Sequence, residues 1–322
     1  MSPPNCRDRG STLVFTAIIM AVILAFSAVA IDVGVIATAK SQLQGAVDAS
    51  ALAGASGLFK NENEAIQRAI TFAGLNDCIN EPVVVTSADV TFPEEDRVRV
   101  EANHEIDLYF ARVLGRSTQN IHAVAEAEIG TLSGTGSVRP WAIPDFDYVL
   151  GDTVLLKSGS SDPPSASTSF FYCVDFPPLN KGTPVTGANK YRENIVEGSD
   201  PGFYVEIGDQ LQVETGNMVG PTAQGVRDLI ALDPDAYWDA ATNTVKGSLF
   251  PEFTSPRVCK IAMYDYLVPP DPGRNYVTVI RLGAFFVIGM QGNDVIGTFI
   301  EITTSGPFGP GDSDLLGVRL VG

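Results

Sequence analysis

Two histidines, four cysteines and a few closely spaced carboxylates are the side chains through which this sequence would do chemistry. His104 and His122 fall on neighbouring predicted strands, where Glu101, Glu105 or Glu126 would be the third ligand of a two-histidine metal site. A surface or sheet-edge role is the simpler reading of both. Asp145 with Asp147, and Glu206 with Asp209, are carboxylate pairs of the kind that general acid–base hydrolysis needs. Asp200, Glu206 and Asp209 together would suit a hard cation such as calcium. The same residues fit plain exposed turns and strand ends. Nucleophilic and phosphate chemistry lacks its signatures: there is no G-x-S-x-G, no G-x-x-x-x-G-K and no H-E-x-x-H. D-x-S-x-S, the run of a metal-dependent adhesion site, is missing too. No histidine follows His122, so a triad in the C-terminal half has no base. The expectation is a non-enzyme with no cofactor and no catalytic, cofactor-binding or metal residues.

The cysteines are Cys6, Cys78, Cys173 and Cys259. None has zinc-finger or thioredoxin spacing. Cys173 and Cys259 share one predicted domain in oxidising surroundings, and are the pair expected to form a disulfide. Cys78 is left as a buried thiol or as a bridge to one of these two.

The elements that position these residues begin with an apolar run. Between Arg9 and Asp32 lie 22 uncharged residues, about 33 Å of helix, the hydrocarbon thickness of a bilayer. Arg7 and Arg9 precede the run and Asp32 follows it. The positive-inside rule therefore puts residues 1–9 in the cytoplasm, residues 10–31 across the membrane and the rest outside. The rivals are a signal peptide cut at Ala28-Val29-Ala30 and a buried helix of a soluble protein. Net charge is −17, and −18 without residues 1–10. So acidic an exterior argues against nucleic acid as a partner and leaves membrane lipid as the partner of the helix.

Helix formers continue to about Leu58, with breaks expected near Gly34 or Gly45. Leu43, Val47, Ala51 and Gly54 lie on one face, and Ala49, Ala53 and Ser56 form a second line of small residues. Small side chains let a neighbouring backbone approach closely. Two partners fit: the chain's own domain, or a helix of another protein, the reading preferred from sequence. Glu62–Ala73 reads as a second helix. Residues 83–92, 97–105 and 120–129 read as strands and Asp107–Leu114 as a short helix. Residues 32–130 are thus a helical stalk with a small α+β unit, 131–137 a linker, and 138–322 a β-rich, sandwich-like domain of α+β class overall. Its strands are expected at 147–157, 168–175, 203–207, 210–215, 276–281, 284–290 and 295–303, with a helix at 221–232.

The N-terminal segment also resembles a family. Arg9-Gly10, the apolar run, Ile31-Asp32-Val33-Gly34, Leu43-Gln44, Ala46, Asp48-Ala49 and Ala51-Leu52-Ala53-Gly54 follow, in order, the N-terminal pattern of the TadG-like proteins of Flp (Tad) pilus assembly. The resemblance covers residues 7–56. It implies a single-pass, pseudopilin-like component of a bacterial envelope, anchored in the inner membrane. Its partners would be other pilus-assembly or pilin-like proteins, met through the N-terminal helix. A type IV prepilin carries Glu five residues after the processed Gly; a cut after Gly10 puts Phe15 there, so a retained membrane component fits better. The alternative function is a membrane-anchored adhesin or carbohydrate-binding protein using residues 138–322.

Overall fold

The computed structural model describes residues 8–146, 148–158, 171–214, 216, 218–251, 253–268, 270, 276–309 and 313–321. The chain divides into two compact units, one of residues 1–129 with 319–322 and one of residues 130–318.

The first unit is built on α1, Asp8–Leu58, an uninterrupted helix of 51 residues, about 76 Å long. It breaks at neither Gly34 nor Gly45; an isolated Gly costs a helix about 1 kcal/mol, and the neighbouring hydrogen bonds absorb it. Helix α2 (Glu62–Gly74) starts at Asn61, whose side chain accepts from the Glu64 N–H at 2.9 Å. The two-residue strands β1 (Asp77–Cys78) and β2 (Glu81–Pro82) pair with each other. Strands β3 (Val90–Thr91), β4 (Arg97–Asp107) and β5 (Thr118–Thr131) form an antiparallel sheet, with Arg97 opposite Glu128 and Asp107 opposite Thr118. Alternate residues Val98, Val100 and Ala102 of β4 and Ile121, Ala123, Ala125 and Ala127 of β5 are buried, as a sheet covered on one face requires. Only Val90–Thr91 of the expected 83–92 strand pairs as a strand. Before it, Thr86 caps a single 3-10 turn, Ser87–Asp89. The Asp107–Leu114 helix is likewise only a 3-10 turn at Ala111–Leu114, because β4 runs on to Asp107.

The second unit opens with β6 (Gly134–Thr135), β7 (Val138–Pro144), β8 (Thr153–Lys157) and β9 (Tyr172–Asp175). Helix α3 (Ala188–Glu197), β10 (Val205–Glu206), β11 (Gln210–Val213) and α4 (Val219–Ala231) follow. Next come β12 (Tyr237–Asp239), β13 (Thr244–Lys246), β14 (Val258–Tyr264), β15 (Tyr276–Gln291), β16 (Asp294–Ile300), β17 (Ile302–Thr303) and β18 (Leu315–Val321), whose last residues return to the first unit. Residues 131–137 do not run free: Leu132 is buried, and Gly134 and Thr135 pair with Glu206 and Val205.

The strand order is β11-β9-β7-β14-β15-β16-β8, and β11 also pairs with β15. Five strands thus close on themselves instead of stacking as two sheets. A closed ring of odd strand number needs a parallel pair, and β7–β14 is that pair. One core holds Val138, Ala142, Leu211, Leu282 and Phe286. The alternate residues Trp141, Ile143, Ile261 and Phe285 pack with Tyr191 and Ile195 of α3 and Val226 and Leu229 of α4 in the other.

Candidate membrane interface

Helix α1 changes character along its length. From Leu13 to Ile31 its large apolar residues are all about half exposed or more, Phe15 at 67% and Phe26 at 74%. This is the one helix among the described residues long and apolar enough to cross a membrane, and none of its most apolar stretch is buried. From Ala39 onward the helix is embedded: Leu43, Val47, Ala51 and Gly54 are all buried within the first unit.

The expectation that this face meets a helix of another protein is therefore corrected. Its partner is α2 of the same chain, with β4. A Cβ added to Gly54 would lie 3.0 Å from Val98 Cγ1 and 3.3 Å from Ala69 Cβ; at Gly57 it would lie 2.6 Å from the Ala65 Cα. Ala65, Ala69 and Ala73 line the facing side of α2. The Ser50 hydroxyl donates to the Ala69 carbonyl at 2.7 Å, and Gln44 Nε2 donates to the Val124 carbonyl at 2.9 Å. Small residues permit close helix packing, as their types imply, but the contact is internal. Of the second line, Ala53 is buried and Ala49 and Ser56 are half-buried.

Asp32 sits where the two halves of α1 meet. Its carboxylate accepts from three consecutive backbone N–H groups: Tyr109 at 2.9 Å, Phe110 at 3.1 and 3.2 Å, and Ala111 at 2.6 Å. Burial raises its pKa, but the N–H groups of Ala111, Tyr109 and Phe110 outweigh that and hold it below the ordinary carboxylate range. From sequence, Asp32 is the charge that ends the apolar run and a position of the family-like Ile31-Asp32-Val33-Gly34 step. Its partners lie some 77 residues away, and no local pattern announces them.

The remaining candidate residues do not assemble into a reactive centre. His104 stands opposite Ile121 and His122 opposite Asn103, so the register puts the two rings on opposite faces of the sheet. Asp145 pairs with Arg281 at 3.2 Å, and Asp147 lies outside the described residues. Lys181 binds both Glu206 and Asp209, the latter at 2.9 Å, so an ammonium stands where a cation would have to sit. Asp200 closes a turn onto the Gly202 N–H at 2.7 Å. Among the described residues no group of three His, Cys, Asp or Glu is arranged to hold a metal.

The expected Cys173–Cys259 disulfide is also corrected: both thiols are free and buried, as is that of Cys78. Strand β7 runs between β9 and β14. That places the cysteines two strand spacings apart, about 9.5 Å, beyond the roughly 7 Å Cα reach of a disulfide. Each thiol has its own partner. The Cys173 thiol donates to the Tyr191 hydroxyl at 3.2 Å, and Arg139 Nε approaches Cys259 Sγ at 3.2 Å. Burial raises the Cys173 pKa, which keeps its thiol protonated and unreactive. Trp141 Nε1 and Thr222 complete the Tyr191 network at 2.9 and 3.0 Å, fastening α3 and α4 to the sheet.

Residues 10–57 match the family model described as putative Flp pilus-assembly TadE/G-like. The match covers α1 almost from end to end and no other element. No curated protein and no solved structure matches the chain.

Proposed function

We propose that the chain is a non-enzymatic, membrane-anchored component of a bacterial Flp/Tad-type pilus-assembly or secretion apparatus. The observation that carries this reading is a single helix that matches the pilus-assembly family and leaves its apolar N-terminal half uncovered. From Leu13 to Ile31 eleven Leu, Ile, Val and Phe side chains are exposed. At about −0.3 to −0.6 kcal/mol each in a membrane, they favour insertion by roughly 3 to 7 kcal/mol. The basic residues before the run favour an inner-membrane anchor with its N-terminus inside and both folded units outside. A minor-pilin-like role is consistent with this arrangement. Because the small-residue face is spent on α2, partners in the apparatus meet either the apolar half of α1 within the bilayer or the outer surfaces of the units.

The test is the intact mass and N-terminal sequence of the protein from washed membranes, with pilus counts in a deletion strain. A full-length chain and loss of surface pili support a retained assembly component. A start at Ser11 moves the protein into the fibre. A start at Ile31 with release from the membrane, or normal pili in the deletion strain, overturns the reading.

A further inference from the structure

Asp32 fixes the level of one loop along α1. Its bonds to residues 109–111 hold the 108–116 segment one residue beyond the apolar run. Beside that segment is a groove of about 510 Å³. It reaches from Asp32 back to Ala25, about 10 Å down the helix. Ala25, Ala28 and Val29 form one wall and Leu108, Phe110 and Val113 the other, with Arg116 and Gln119 at its edge. The tip of the segment is unusually apolar for a surface in water: Tyr109 is 62% exposed and Val113 88%. Aromatic and aliphatic residues beside arginine are the composition of a surface set about 5–10 Å into the headgroup boundary.

We propose that this groove binds a phospholipid of the leaflet facing the folded units, an inference that rests on the membrane-anchor reading above. One acyl chain lies along Ala28 and Val29 beneath Phe110 and Val113, and the phosphate is taken by Arg116. Arg112 is already paired with Asp107 at 2.9 Å, whereas the Arg116 side chain has no ion-pair partner among the described residues. The shape favours lipid over a second helix. A helix about 10–12 Å across lying along Ala25–Val29 would run into the backbone bonded at Asp32, while an acyl chain ends at its headgroup there. The segment thereby sets the depth and tilt of α1 in the bilayer.

The test uses the full chain in phosphatidylcholine–phosphatidylglycerol nanodiscs whose acyl chains carry bromine, a quencher of tryptophan. Both native tryptophans, Trp141 and Trp238, lie in the second unit and serve as the internal background. Val113→Trp changes an exposed position, and protection of Cys78 from alkylation verifies the fold. The expected result is that the indole introduced by Val113→Trp is quenched by bromolipid and shielded from aqueous acrylamide, and that adding Arg116→Glu reduces the bromolipid quenching severalfold. Ile23→Trp reports the anchor separately. Quenching in the Ile23→Trp protein but not in the Val113→Trp protein overturns the groove proposal and leaves the anchor standing. Quenching of neither introduced indole overturns both. Quenching in the Val113→Trp protein that Arg116→Glu leaves unchanged overturns the phosphate site.

Discussion

The same substitution at two glycines of α1 should shift stability in opposite directions. At Gly57 an added Cβ lies 2.6 Å from Ala65 Cα, 2.7 Å from Ala65 N and 2.9 Å from Glu64 C. All three are backbone atoms, so no rotamer change relieves the clash and α2 must retreat by about 1 Å to regain ordinary contact. Overpacking of this kind costs about 1–3 kcal/mol, and its rigid partner puts Gly57→Ala in the upper half. Ala returns at most about 1 kcal/mol of helix propensity, leaving the first unit about 1–2 kcal/mol less stable. At Gly45 the added Cβ meets nothing within 4 Å. Gly45→Ala should therefore stabilise by about 1 kcal/mol. The variants should differ by about 2–3 kcal/mol, or about 30- to 150-fold in the opening equilibrium. Cys78 is the natural reporter. It is fully buried, and its thiol donates to the Ala39 carbonyl of α1 at 3.4 Å, so it reacts only when the first unit opens. Alkylation rates of Cys78, resolved by peptide mass, give the equilibrium, while tryptophan emission checks that the second unit is unchanged. Equal effects of the same sign at both glycines would refute the internal α1–α2 contact and return the Gly54 face to a partner protein.

Three further outcomes follow from buried charges. Lowering the pH should release the Tyr109–Ala111 amides, as read by pulsed hydrogen exchange. The depressed Asp32 pKa contributes stability that is present above the ordinary carboxylate pKa and is lost as pH falls through the lower native value. Asp32→Ala should show the released state at neutral pH. Asp175 acts in the opposite sense: burial, then Glu214 beside it, pushes its pKa up to about 7. Its contribution is complete below the ordinary value and is lost as pH rises through about 7, so the urea midpoint of the second unit should fall from pH about 5 to about 8. Asp175→Asn should flatten that slope. Arg257 is buried over the Phe286 ring and donates to the carbonyls of Ala236 at 2.6 Å, Ile288 at 3.0 Å, Val287 at 3.1 Å and Asp233 at 3.3 Å. A lysine ammonium cannot span that fan. Arg257→Lys should cost the second unit about 2–4 kcal/mol by leaving buried acceptors unpaired, measured as a lower urea midpoint in Trp238 emission.

What the sequence reveals follows from how local each signal is. The apolar run, α2 with its terminal glycine, the alternating β4 and β5, and α4 are all periodic patterns, and they fold where the pattern puts them. Strand β7 escapes reading because VRPWAIP is buried on both faces and carries two prolines, so it neither alternates nor resembles a central strand. The two runs at 276–281 and 284–290 are one strand, β15: Gly283 marks a place where a side chain would meet Met263, not a turn. Helix α3 is polar along most of its length and gains its place through Tyr191 and Ile195, contacts that only the tertiary structure supplies. The Asp32 clamp is invisible for the same reason, since its donors are backbone groups.

Close packing and membrane immersion make different demands, and the side chains of α1 change near Asp32 in the direction that the proposed anchoring requires. Before it the helix carries Leu, Ile, Val and Phe, which gain from hydrocarbon and need no fixed neighbour. After it the buried face carries Leu43 and Val47 and then Ala, Ser and Gly, small residues that gain little from burial alone but let α2 approach until backbone meets backbone. A small-residue stripe in a helix that matches a pilus-assembly family model invites an intermolecular reading, because side-chain type records how close the neighbour comes and not whose chain it belongs to. The buried Ser50–Ala69 hydrogen bond and the Gly57–Ala65 contact decide it in favour of α2. The continuous helix then couples the two halves: a force on the apolar half reaches the packed part of the first unit along α1 and through the three N–H bonds to Asp32. In the proposed anchoring, tilting of the apolar half therefore loads the Tyr109–Ala111 contact, beside the groove assigned to lipid.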